Sequence, residues 1–239
     1  MLHLKNSLMC VILIAVTSAF AAEQVTKAPE TKAAPVIQPS DKDISFITGI
    51  DNAYQKAKTV TMDIKKSLKS ELIDAGKPSV GKVMFSKGRM RMEMEFPDKS
   101  LVVIDKKHIW VVNYPTSEFK NSALQVIKAD ISTKKGRSQN FLALLTQGGV
   151  LKYFNVSGLQ KVSETERLFF LQPNSTTVEF KRAQMVLNPK TKLITGLRYW
   201  DELDNETVFE FSNVKFNKPL KEENFIYVPP DKNVDITNF

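Results

Sequence analysis

Cysteine is all but missing from this chain: Cys10 is the single one in 239 residues, and it stands at the beginning of the first apolar run. A disulfide needs two, so a packed core has to hold the fold together. Histidine is nearly as scarce, with His3 near the start and His108 beside Lys106 and Lys107. No Cys/His metal cluster and no Cys-His or Ser-His-Asp set can be assembled from that inventory, so neither metal nor cofactor is expected. The nine glycines form no phosphate-binding or dinucleotide pattern, which excludes nucleotide chemistry. Carboxylate pairs remain, Glu93 with Glu95 and Glu164 with Glu166. The first pair lies on a wet strand face and the second flanks a turn, settings that do not split two pKa values for acid and base work. The expectation is a protein that is not an enzyme.

Acidic side chains are the scarcer sign, 26 against 34 Lys and Arg, for a formal net charge of +8 at pH 7. That balance favours acidic surfaces, such as anionic lipid headgroups or an acidic patch on a partner. A solvated basic surface with no specific partner fits it equally well.

Long apolar runs are confined to the start. Lys5 precedes an uncharged stretch from Leu8 to Phe20, and the small residues Ala19 and Ala21 are spaced for a signal peptidase. Residues 1–21 read as a signal peptide cleaved after Ala21, which directs the chain to the periplasm, away from nucleic acid. The alternative, a membrane anchor, would need about 20 apolar residues. Cys10 precedes most of the apolar run and is not placed for lipidation. Residues 22–43 mix Ala, Lys, Thr and Pro and read as a flexible tether, or as a short recognition segment, ahead of a domain over residues 44–239.

That domain opens on Ile44, Ile47, Ile50, Tyr54 and Ala57, whose spacing predicts an amphipathic helix over 44–58 with Asp41 or Asp43 as cap. Most of the chain beyond this helix has the two-residue period of strands. From Arg89 to Phe96 the alternation is unbroken, with Met90, Met92, Met94 and Phe96 on one side and Arg89, Arg91, Glu93 and Glu95 on the other. Lys87-Gly88, Pro97-Asp98, Asn188-Pro189 and Asp204-Asn205 punctuate the strands as turns. A second helix is predicted after the basic loop around Lys134, Lys135 and Arg137. Ser138 or Asn140 caps it, Phe141, Leu144 and Leu145 form its apolar side, and Gly148-Gly149 ends it. Strand links this short call for antiparallel pairing. The predicted fold is α+β: a strongly curved antiparallel sheet, an unclosed β-barrel of about ten or eleven strands, lidded by a few short helices over an apolar cavity. Three methionines on one strand face suit an ordinary core under a helix. They equally suit a surface that accepts flexible apolar ligands, because methionine is unbranched and polarisable.

The stretch from Pro97 to Asp105, followed by Lys107 and Ile109-Trp110, resembles the LolA family, the periplasmic carriers of outer-membrane lipoproteins. Phe225 with Pro229 to Ile236, and the hairpins around Asn188-Pro189 and Asp204-Asn205, are similar to the family's later pattern. The resemblance implies a cavity for lipoprotein acyl chains, received from an inner-membrane ABC-type lipoprotein-releasing transporter and passed to an outer-membrane lipoprotein receptor. Its lining would include Val83, Phe85, Met90, Met92, Met94, Phe96 and Trp110, with Phe141, Leu144 and Leu145 from the second helix. Where the family has arginine and proline in the turn before the methionine strand, this chain has Lys87-Gly88-Arg89. Lys87 or Arg89 is therefore the expected lid latch or partner contact. A monomer is expected. The competing reading is a lipid- or lipoprotein-sensing regulatory domain of the same fold, which a long additional domain would favour. A receptor of this architecture would carry a lipidated cysteine where this sequence has Ala22.

Overall fold

The computed structural model describes residues 34–70, 77–133, 141–146, 149–174 and 178–238. The predicted signal segment, the basic loop at Lys134, Lys135 and Arg137, the caps Ser138 and Asn140, and Gly148 lie outside them. The described residues form one α-helix, α1 (Asp41–Lys56), and twelve strands. These are β1 (Val60–Lys69), β2 (Ser79–Ser86), β3 (Arg89–Phe96), β4 (Ser100–Ile104), β5 (His108–Asn113), β6 (Leu124–Asp130), β7 (Phe154–Ser163), β8 (Glu166–Pro173), β9 (Phe180–Asn188), β10 (Leu193–Asp201), β11 (Glu206–Phe216) and β12 (Val234–Asn238). All twelve belong to one sheet in the order β12-β6-β5-β4-β3-β2-β1-β11-β10-β9-β8-β7. The two ends of the order do not meet, so the barrel is unclosed. Pairing is antiparallel except where β12 runs parallel to β6, an arrangement that a return from the far end of the chain permits and a hairpin does not.

Local chemistry explains the turns. Lys87 and Gly88 both have positive φ, 45° and 78°, which matches a two-residue hairpin loop to the twist of the strands it joins. The Asn188 carboxamide oxygen accepts from the Lys190 and Thr191 amides and holds the β9–β10 turn. α1 starts earlier than the apolar spacing suggests. Ser40 is the cap, its hydroxyl accepting from the Asp43 amide while the Asp43 carboxylate accepts from the Ser40 amide. Upstream, Ile37 exchanges both backbone hydrogen bonds with Leu159 on β7, at 2.8 and 2.9 Å. Part of the stretch read as tether is thus held against the sheet. β7 is itself irregular, its register against β8 shifting between Val156 and Gly158 and again between Lys161 and Ser163.

The sheet buries both faces, unequally. The inner face forms the main core with α1 and the short 3-10 turns Phe141–Thr146 and Val150–Lys152. On the outer face Leu101, Val103, Trp110, Val112 and Val126 make a smaller cluster, covered by Tyr114, Tyr227 and Val234. The second helix is a 3-10 turn instead, and its burial gives the reason. Leu142 is buried along with Phe141, Leu144 and Leu145, so the segment is apolar all round and plugs a concavity, whereas a surface helix keeps one side wet.

At Gly81 the backbones of β2 and β3 approach so closely that an added Cβ would lie 1.9 Å from the Glu93 carbonyl oxygen and 2.8 Å from the Met94 Cα. Gly81→Ala is expected to destabilise the fold by about 1–3 kcal/mol. A urea titration should show a lower midpoint with an unchanged slope, and a midpoint equal to wild type would refute the close approach.

Candidate functional site

Strand register assembles an apolar patch from the centre of the sheet. Met90 stands opposite Phe85 on one side and Ile104 on the other, and Met92 opposite Val83 and Val102. Directly paired residues point to the same face, and all of these, with Met94, are buried in the inner core. From above, Phe141 enters an aromatic group, parallel to Tyr199 at 5.0 Å and edge-on to Phe180 at 5.1 Å. Leu144 and Leu145 fill the space beside it. Eight of the residues expected to line the cavity, Val83, Phe85, Met90, Met92, Met94, Phe141, Leu144 and Leu145, therefore meet in one cluster. The side chains of the Phe141–Thr146 turn occupy the inner face, and the cleft beneath the β2–β3 hairpin measures about 40 Å³.

Two expected lining residues are elsewhere. Phe96 is 52% exposed. β3 carries an extra residue here, so that Phe96 pairs with Val80, which pairs in turn with the outward Lys65. One added residue exchanges the faces of a strand and takes Phe96 away from the methionines. Trp110 points outward, its indole N–H donating to Asp105 Oδ2 at 3.1 Å and its ring 5.5 Å from Tyr227. The neighbours Ile109 and Val111 take the inner positions of β5.

The latch expectation also changes. Arg89 donates to the Glu222 carboxylate at 3.0 Å on the outer face and lies over the Phe225 ring. It is tied there to the C-terminal segment, and it also borders the small cleft that Leu145 lines. Lys87 is exposed at the hairpin tip beside the small cleft. Polar contacts of α1 do the seating. The Tyr54 hydroxyl accepts from the Ile194 amide at 3.1 Å, where a register shift between Ile194 and Gly196 interrupts the β9–β10 ladder. Burial pushes the Tyr54 pKa up to about 12. Arg167 of β8 reaches Asp43 at 3.4 Å. From the same buried side of α1, the Asp51 carboxylate accepts from the amides of Val150 and Leu151, at 3.2 and 3.4 Å. Gln55 donates to the Leu145 carbonyl at 2.6 Å. The two short turns thus hang from α1, and α1 is fixed to the sheet. Gly149 makes the Asp51 contact possible: its φ is +90°, and a Cβ there would lie 2.2 Å from Asp51 Oδ2.

The sequence pattern described as outer membrane lipoprotein carrier protein LolA matches residues 55–228, well over half of the chain. The chain belongs to the LolA family. An outer-membrane lipoprotein carrier protein of Legionella pneumophila is 24% identical over 185 residues, covering 77% of this chain and 84% of the relative. One of Coxiella burnetii is 26% identical over 162 residues, covering 66% and 70%. Among solved structures, a LolA-superfamily protein of Nitrosomonas europaea aligns with a TM-score of 0.44 at 8% identity, over 77% of this chain and 97% of that one. As a LolA-family member the protein works by binding and is not an enzyme.

The polar contacts of Asp51, Tyr54 and Gln55 were not singled out from the sequence, although a signal was there. Asp51 follows Ile47 and Ile50 inside the apolar stripe of α1, where a carboxylate needs donors from elsewhere. Burial raises the Asp51 pKa, and the two amide hydrogen bonds oppose that rise. A raised carboxyl pKa means that the folded state binds the proton more tightly than the unfolded one, so this group's contribution falls as pH rises through the folded pKa. Asp51→Asn should therefore gain stability relative to wild type as pH rises above about 4. Chemical denaturation across that range is the measurement. A gap that stays flat or narrows would mean that the amide donors outweigh burial.

Proposed function

We propose that this chain is a periplasmic carrier of lipoproteins. It shelters their acyl chains on the inner face of its sheet, between an inner-membrane ABC-type transporter and an outer-membrane receptor. The observation that carries this reading is the match of apolar lid to apolar face. Phe141, Leu142, Leu144 and Leu145 are all but fully buried, yet they belong to a segment outside the sheet. Each such side chain contributes about 1.5–3 kcal/mol on burial. An acyl chain, at about 0.8 kcal/mol per CH₂, gains on the order of 10 kcal/mol by leaving water. Lid and cargo are energetically comparable occupants of one surface. Cargo that replaces the lid is held against loss to water, and the returning lid offsets most of the cost of release. Met90, Met92 and Met94 suit such a surface, because their side chains repack around chains of different shape. The family's name and those of the Legionella and Coxiella relatives support lipoprotein as the cargo. Residues 1–21 support export to the periplasm, where the carrier acts as a monomer.

Two experiments test the reading. Leu144→Asp places a charge in a fully buried lid position and should expel the Phe141–Thr146 turn while the sheet persists. Strand circular dichroism is then retained, and binding of a fluorescent acyl probe increases; cooperative loss of the whole fold would refute a separable lid. For the carrier activity itself, purified protein is incubated with spheroplasts of a Gram-negative cell. A newly made acylated lipoprotein should appear in the soluble fraction in a one-to-one complex. No release beside a working control carrier would turn the assignment toward lipid sensing.

A further inference from the structure

One row of inner-face residues crosses half of the sheet, and it is apolar at every position but its first. Register aligns Lys66 of β1 with Phe209, Leu197, Met185, Phe169 and Leu159 on successive strands out to β7. The last five are buried to 2% exposure or less. Along its own strand Lys66 follows Val60, Met62 and Ile64 at two-residue intervals, so it ends an inward-facing apolar stripe. Its side chain is half-buried, and desolvation holds the ammonium below the ordinary lysine range. Among the described residues no carboxylate, hydroxyl or carbonyl oxygen pairs with it. The outward lysines of the same strand differ: Lys65 meets Glu210 at 2.9 Å and Lys69 meets Glu206 at 3.7 Å.

A cation turned toward an apolar surface, with no counter-charge among the described residues, is a poor structural element, since desolvation of its ammonium is costly. An amphiphile lying along the row would supply the missing charge. Five inter-strand spacings of about 4.8 Å make a row of about 24 Å, the scale of an extended long acyl chain. We propose that Lys66 is the subsite for the anionic head of an acyl ligand, a carboxylate or a phosphate, whose chain lies over Phe209, Leu197 and Met185. This rests on the inner face being the acyl-binding surface. It adds a further class of ligand for that face, a free amphiphile with an anionic head.

The test compares the purified full chain with its Lys66→Met and Lys66→Arg variants, using fluorescent cis-parinaric acid and its uncharged methyl ester as probes. Wild type should bind the acid roughly tenfold tighter than the ester, as a charge-assisted hydrogen bond provides. Lys66→Met should abolish the preference while leaving ester affinity and melting temperature undiminished, and Lys66→Arg should keep it. Equal binding of acid and ester by wild type, or a preference that survives in Lys66→Met, overturns the role of Lys66 and leaves the acyl-binding face standing. Binding of neither probe overturns both. Displacement of the probe by dodecyl phosphate and by dodecanoate then assigns the source. Stronger competition by the phosphate points to a phospholipid head, and stronger competition by the carboxylate to a free fatty acid.

Discussion

A sheet that curves without closing has an inner face that its own strands cannot cover. Here that face carries Met90, Met92, Phe209, Leu197 and Met185, all nearly fully buried. At about 25 cal/mol per Å² of apolar surface, leaving such a face in water is incompatible with a stable domain. The rest of the structure answers that constraint. One helix is too narrow for the concavity, so two short 3-10 turns complete the cover, and their apolar side chains take the shape of the space that α1 leaves.

The cover is assembled in two steps of different character. α1 is joined to the sheet by defined polar contacts, Tyr54 to Ile194 and Asp43 to Arg167. The turns are joined to α1 by Asp51 and Gln55, and beyond that Phe141 stacks against Tyr199. Hydrogen bonds fix orientation, while apolar contacts accept a substitute of similar surface. The turns therefore reach the sheet through apolar contacts alone among those described, and α1 through a buried tyrosine as well.

Much of the fold is written in two-residue alternation and turn chemistry. The methionine strand, the Lys87-Gly88 loop and the hairpin at Asn188 were legible because each is a local pattern with a local cause. The sequence misled where a distant segment intervened. Ile109 and Trp110 of β5 are both buried although they face opposite ways, since the C-terminal residues Tyr227 and Val234 cover the outer side, and that burial removes the contrast between them. The outward turn of Phe96 rests on one unpaired residue in β3, which leaves no mark on the alternation. The turn marks Arg89 as a lid latch or partner contact, and its pairing with Glu222, far along the chain, could not be read from that turn. In the candidate site the apolar residues were largely legible from periodicity. The polar ones were not, because Asp51 acquires its meaning from the amides of Val150 and Leu151 across the fold.

The irregularity of β7 bears on what happens when two copies of the protein meet. An outermost strand with a long regular run of free backbone groups is a template on which another chain can add, and repeated addition ends in aggregation. β7 lies at such an edge, but Ile37 occupies the groups of Leu159, and the register shifts near Gly158 and Lys161 fall on either side of that contact. At this edge the unclosed barrel offers another chain no long regular run of free backbone, because Ile37 and two register shifts divide β7.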